Sequence, residues 1–373
     1  MTEKVSQIID IRSEKNICLT GMTDEFFCWY IKSYFEKNRR NILIITTTLY
    51  EANNLYKRLV NYVDESLLFP MDDFITSESI AISPDLKIKR LETLNELIND
   101  NNHIVITHLN GLLRYLPTKE LYLKNNIKLN KDDEYDRDQL IKDLMNLGYV
   151  KETLVSKTGE IGIRGFIIDI YPVGEEHPIR IEFFGDQIDS IRVFDENTQK
   201  SIKEIDKVTI KPYTEFLVDN FDDLIVPNQK NLPIYNKEIV NISNYMNNAL
   251  FVFKDYDSIL NEAALLREQI IDYKARDDSK YEYNYMFDFD EIIYDEFIHY
   301  NSLNNIDSFV KSNKTFKYPV KTIRKFNEDI ELIKTYLKEK LDLKKTIIIY
   351  LKKYQIKSFT NYIDIPNIIT NEN

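Results

Sequence analysis

The sequence predicts an α/β protein in which a parallel sheet covered by helices is interrupted by a small α+β insert. Three observations predict it. Short apolar runs at 16–20 (NICLT), 41–48 (NILIITTT) and 103–108 (HIVITH) alternate with helical patterns, as strands buried on both faces of a parallel sheet do. Two further apolar runs, 179–184 and 187–194, flank Gly185-Asp186, a two-residue hairpin turn that belongs to antiparallel pairing. Five of the chain's eight glycines lie in 159–201 and none follows Gly185, which places the tightest turns in that insert.

Taken in order, the run 16–20 ends at Gly21, and Phe26, Trp29, Tyr30 and Phe35 then recur at helical spacing. The strand 41–48 is followed by a helical pattern over 49–63. Ser83-Pro84 opens an amphipathic helix with Leu86, Leu91, Leu94, Leu97 and Ile98 on one side, and 103–108 is the next strand. These elements make a first domain, 1–124. A second domain, 125–211, starts with a strand at 127–130 (IKLN), a polar linker and a helix over 138–147 that closes at Gly148. Strands are expected at 154–155, over 161–170, and in the hairpin. The third stretch, 212–373, holds a strand at 250–253, a helix at 263–273, a Tyr/Phe/Asp/Glu-dense segment at 281–300 without a period, a helix at 326–341 and a strand at 346–351. It reads as an incomplete continuation of the first domain.

Alternation assigns the hairpin faces. Ile179, Ile181, Phe183, Ile188 and Phe194 fall on one side, the expected core. Arg180, Glu182 and Phe184 share the other, with Gln187 and Asp189 across from them. Arginine and aromatic residues on one polar face suit a binding hot spot. The alternative is a satellite core residue at Phe184 and plain surface ion pairs at Arg164 and Arg180. The register of Arg164 against the hairpin is left open.

Composition bounds the function. At 373 residues, 43% hydrophobic and 29% charged, with net charge −12, the chain is globular and lacks the overall positive charge of a nucleic-acid binder. Cys18 and Cys28 are the only cysteines, so no disulfide framework or paired-cysteine zinc site is suggested. No apolar run approaches a membrane span, and the expected setting is cytoplasmic. A phosphate-binding P-loop needs two glycines five apart followed by lysine. No glycine here precedes a lysine, and the junction TGMTDEF places Asp24 and Glu25 where phosphate would go. His103 and His108 bracket one strand and point to opposite faces, and His177 follows Glu175-Glu176 in an expected solvated loop. The acidic groups Asp72-Asp73, Asp132-Asp133-Glu134 and Asp222-Asp223 lack the spacing of a calcium loop. The reading is of a chain without catalytic residues, cofactor or metal.

Two motifs carry a family resemblance. GEIGIRGFIIDIYP (159–172) and RIEFFGDQIDSIRVFDENTQ (180–199) resemble the domain shared by the UvrB repair proteins and the transcription-repair coupling factors. The ending VFDENTQKS and the stretches 69–97 and 103–117 are more similar to the coupling factors, and the P-loop and tyrosine-rich DNA-gripping hairpin of UvrB are missing. The resemblance implies a helicase-like first domain that has lost ATP binding, an inserted domain that binds the excision-repair protein UvrA, and a continuation of the first. It assigns the UvrA contact to Arg164, Arg180 and Phe184. It implies a non-catalytic adaptor that recruits UvrA to RNA polymerase stalled at DNA lesions. RNA polymerase, double-stranded DNA, ATP and magnesium would belong to a C-terminal translocase absent from this chain. In the family a C-terminal domain masks the UvrA-binding surface, so this chain is expected to bind UvrA without activation. The alternative is a UvrB-like ATP-dependent helicase subunit that handles DNA and nucleotide itself.

Overall fold

A computed structural model describes residues 14, 16–71, 83–99, 101–218, 229–276, 284–302, 314–323, 326, 329–347, 349, 351 and 353–363. The chain divides into two compact units, Ser13–Pro319 and a second made of Met1–Arg12 with Val320–Asn373.

The larger unit begins with β1 (Ile17–Met22), α1 (Asp24–Asn38), β2 (Ile42–Thr46), α2 (Leu49–Leu59), β3 (Ser66–Phe69), α3 (Pro84–Leu97), β4 (Ile104–His108), α4 (Leu109–Leu113) and α5 (Lys119–Lys124). Local chemistry sets the helix starts. The Thr23 hydroxyl accepts from the Phe26 amide at 3.2 Å and the Thr48 hydroxyl from the Glu51 amide at 3.3 Å, the usual N-cap arrangement. Proline at the first turn of α3 has no amide to leave unpaired. Arg39 ends α1 in the left-handed region, φ 45°. The apolar runs 42–46 and 104–108 are buried at every position, so both faces of the sheet are covered.

The insert follows: β5 (Ile127–Asn130), α6 (Arg137–Asn146), β6 (Val150–Lys151), β7 (Glu160–Arg164), β8 (Ile167–Ile170), β9 (Ile179–Phe184), β10 (Gln187–Phe194), β11 (Ser201–Ile205) and β12 (Lys207–Ile210). The chain then returns through a short helix, α7 (Leu232–Tyr235), to β13 (Leu250–Lys254), α8 (Tyr256–Arg276), β14 (Phe297–Ser302) and β15 (Lys314–Lys317). β13, β14 and β15 complete a seven-stranded sheet in the order β15-β1-β14-β13-β2-β4-β3. Every pairing in it is parallel. The fold class is as expected: a parallel-sheet α/β core plus a separate small sheet. Within the second unit the described residues form α9 (Ile330–Asp342) and α10 (Lys353–Tyr362).

Several expectations need correction. The pattern over 49–63 gives a helix only to Leu59. The edge strand β3 had no periodic signal, being four residues long. No strand forms at 154–155. The strand there is Val150–Lys151, and Val155 instead lies fully buried against Gly162, where an added Cβ would sit 3.1 Å from a Val155 methyl. The run 161–170 is two strands broken by Gly165-Phe166. At 346–351 the described residues form no strand, and positions 348 and 350 lie outside the described residues.

The insert's sheet has the order β11-β10-β9-β8-β7-β6. Ile161, Ile168, Ile170, Ile179, Ile181, Phe183, Ile188 and Ile191 form its inner face. They belong to the same buried cluster as Leu43, Val105 and Phe253 of the large sheet, so one continuous core underlies both. β5 and β12 pair with each other where the chain enters and leaves the insert.

Gly159 sets the start of β7. Its φ is +91° and a Cβ there would overlap the Tyr213 ring. Gly159→Ala combines left-handed backbone strain with overpacking and should destabilise the fold by about 2–4 kcal/mol. A urea midpoint reads this directly. Tyr213→Ala, itself destabilising because it empties a buried ring, should cost less in the Gly159→Ala background than in the wild type, since there it also relieves the overlap.

Candidate partner-binding site

The candidate residues converge on the outer face of the small sheet. β8 pairs with β7 through Gly162↔Asp169 and with β9 through Asp169↔Arg180. Arg164 lies two residues along β7 from Gly162, the diagonal neighbour position. Asp169 therefore stands between the two arginines. Its carboxylate is fully buried. Oδ1 accepts from Arg180 Nε at 2.7 Å, and Oδ2 accepts from Arg180 Nη2 and Arg164 Nη2, each at 2.9 Å. Three charge-assisted bonds satisfy a carboxylate that would otherwise be costly to bury. The hydrogen bonds it donates to Asp169 hold the Arg180 guanidinium above its ordinary range. The ring of Phe194 closes one side of that guanidinium, its centroid 4.5 Å from the central carbon.

Phe184 ends β9 and is 80% exposed. Gln187 pairs with it across the Gly185-Asp186 turn, as alternation predicted. Gly185 has φ +64°, which only glycine adopts at no cost. The neighbouring hairpin turns the same way at Gly165, φ +57°. The Phe183 amide donates to the Phe166 carbonyl at 2.9 Å, so the two turns lie side by side. Phe166, 62% exposed, adds a second aromatic at this end of the sheet.

Two details of the face differ from the expectation. The register shifts between Ile188 and Ser190, so Ser190, not Asp189, stands opposite Glu182. This is a β-bulge, which puts two residues of one strand against one of the other. Beyond it Ile191 takes the core position opposite Ile181. Phe194 is buried, but beneath Arg180 on the outer face, not in the core. Asp169 was not among the candidates. Its signal was an acid at an outward position of an otherwise apolar strand, IIDI.

Other expected features fall elsewhere. His177 lies in the loop between β8 and β9, as expected, partly exposed and with Nδ1 3.2 Å from Glu196 Oε2. Asp133 accepts from the backbone and side chain of Asn130 in the turn after β5. Asp72-Asp73 and Asp222-Asp223 lie outside the described residues. At the β1–α1 junction a Cβ on Gly21 would overlap the Tyr318 carbonyl, and the Tyr318 amide donates to Thr20 O at 2.8 Å. The Asp24 carboxylate there accepts from the Tyr300 hydroxyl at 3.1 Å.

The UvrB interaction domain matches residues 127–216, the stretch that holds the whole arginine–aromatic face. A transcription-repair-coupling factor of Staphylococcus haemolyticus is 33% identical over 293 residues, 74% of this chain and 25% of its own length. The chain matches the UvrB-like N-terminal region of the transcription-repair coupling factors. Coupling factors of Staphylococcus aureus strains RF122 and MRSA252 are 35% and 36% identical over 208 residues, 55% of this chain and 18% of theirs. The chain thus spans a quarter or less of these coupling factors. No helix among the described residues is long and apolar enough to cross a membrane.

Proposed function

We propose that the chain is the UvrA-binding adaptor region of a transcription-repair coupling factor, with Arg164, Arg180 and Phe184 as its contact residues. The observation that carries this reading is the Arg164–Asp169–Arg180 cluster beside exposed Phe184, inside the stretch that matches the UvrB interaction domain. Phe184 is a large apolar side chain left exposed at the end of β9. Arginine and aromatic anchors of this kind dominate interface energetics. The adaptor brings UvrA to RNA polymerase stalled at a lesion. Polymerase and DNA contact, and ATP-driven translocation, belong to other parts of a full-length coupling factor.

The competing reading, a subunit that handles nucleotide itself, is disfavoured by the β1–α1 junction. There the Tyr318 backbone takes the place next to Gly21 and Asp24 is negative, where a nucleotide site needs open glycine backbone and positive charge. Calorimetric titration with ATP and magnesium should give no heat of binding, whereas micromolar binding would favour the competing reading.

The adaptor reading is tested with purified UvrA. The wild-type chain should be retained, and Arg180→Ala and Phe184→Ala should each weaken binding by about 2 kcal/mol or more, roughly 30-fold in Kd. Absence of binding by the wild type, or equal binding by both variants, overturns the assignment.

A further inference from the structure

We propose that Asp169 is a positioning residue: it holds Arg164 and Arg180 side by side as a preformed fork that receives a carboxylate of the protein partner. This inference rests on the partner-binding reading above and names the chemistry of the contact.

The geometry separates what Asp169 uses from what it leaves. It occupies one whole edge of the Arg180 guanidinium, Nε and Nη2, and only Nη2 of Arg164. Among the described residues, Arg180 Nη1 and Arg164 Nε and Nη1 have no hydrogen-bond acceptor. The Arg164 side chain is 51% exposed and that of Arg180 17%. Asp169 itself is fully buried, so it touches both arginines and cannot be the contact. Phe194 blocks rotation of the Arg180 guanidinium to one side. Two cations around one anion leave a single net positive charge and a set of planar N–H donors, which match a carboxylate in geometry and charge. Arg192, opposite Arg180 on the next strand, is already paired with Glu182, and the chain's net charge of −12 disfavours a polyanion such as nucleic acid, which would have to face the whole surface, over a single carboxylate.

The physical benefit is preorganisation. Two like-charged, rotamer-rich side chains placed alone on a sheet would repel each other and spread, and an incoming partner would have to order both. That ordering costs affinity at any interface. Asp169 has already ordered them in the free chain.

The test uses the whole chain and purified UvrA. Asp169→Asn keeps the side chain's shape and removes its charge. Because both arginines reach solvent, the variant should stay folded, as a cooperative urea transition would show. Its affinity for UvrA should fall ~10-fold through lost preorganisation. The Arg180 Nε–H, which donates to Asp169 Oδ1 at 2.7 Å, should be protected from exchange in the wild type and less so in Asp169→Asn, whose single amide oxygen must serve all three donors. That readout is local to the fork and would not follow from a general loss of stability. Arg180→Lys, which keeps charge but not the fork, should bind within ~3-fold of Arg180→Ala.

Wild-type affinity in folded Asp169→Asn, or in Arg180→Lys, overturns the inference while leaving the UvrA reading intact. If the wild type itself does not bind UvrA, the functional reading falls. The Nε–H exchange then decides alone whether Asp169 orders the fork: unchanged protection in Asp169→Asn overturns it.

Discussion

Acidification from pH 6.5 to pH 4 should cost this fold about 3 kcal/mol at each of two buried histidines. Burial lowers His108 from 6.5 to about 4, and the Arg90 guanidinium adds to the effect. Burial alone lowers His299 to about 4. Both groups are therefore neutral in the folded chain and take up a proton on unfolding anywhere between those values. The sign follows: the stability they contribute is fully present above pH 6.5 and is lost as pH falls toward 4. At pH 5 about 2 kcal/mol per histidine has already gone.

His299 shows why protonation is so unfavourable. Its ring stacks between Tyr256 at 4.4 Å and Phe297 at 4.5 Å, and neither nitrogen has a hydrogen-bond partner among the described residues. A charged imidazolium there would lose its hydration without gaining an acceptor. Urea unfolding as a function of pH measures the effect. His299→Phe preserves the stack and removes the titrating group, so its stability should depend on pH less steeply by about one proton between pH 4 and 6.5. Identical pH profiles for wild type and variant would show that His299 does not titrate with folding.

How much of this was legible in the sequence depends on how each element is buried. Strands covered on both faces appear as unbroken apolar runs, so 42–46 and 104–108 were plain. Ser66–Phe69 lies at the sheet edge beside β4, and four residues with serine first carry no period to detect. In the insert, the Gly-Asp turn located the hairpin and alternation placed Arg180, Glu182 and Phe184 together. Alternation fails at a bulge, however, because one extra residue reverses every face beyond it. That is why Asp189 and Phe194 were misplaced while Phe184 and Gln187, before the bulge, were not. The candidate site was visible only as three separate residues. Its connecting member, Asp169, was not, because the contact of β8 with both β7 and β9 is a tertiary fact. Nothing in IIDI alone says which arginines flank it.

Glu215→Ala should destabilise the chain by about 3–5 kcal/mol, the loss expected when one member of a buried ion pair is removed. Glu215 is 3% exposed. Its Oε1 accepts from Arg90 Nε at 2.5 Å and its Oε2 from Arg114 Nε at 2.6 Å. Burial works to raise its carboxyl, but the Arg114 and Arg90 guanidinium groups outweigh it and hold it below the usual carboxylate range. Arg90 comes from α3, Arg114 follows α4, and Glu215 lies where the chain leaves the insert. The cluster therefore ties the insert's exit to the helices of the parallel-sheet layer. Alanine would remove the carboxylate that both buried guanidinium groups share, and would open a cavity. Lys87 adds to the local positive charge. Burial lowers its ammonium to about 8, a shift that Glu215 opposes and that Arg90 and Arg114 reinforce. Losing Glu215 should lower Lys87 further, toward neutrality at pH 7.5. Urea unfolding of Glu215→Ala and Glu215→Gln separates the contributions. Glutamine keeps the shape and part of the hydrogen bonding, so its cost should be smaller, and the difference between the two variants reports packing and hydrogen bonds apart from charge. A midpoint for Glu215→Ala within about 0.5 kcal/mol of wild type, the range of ordinary surface changes, would mean that the insert is held by its apolar core alone.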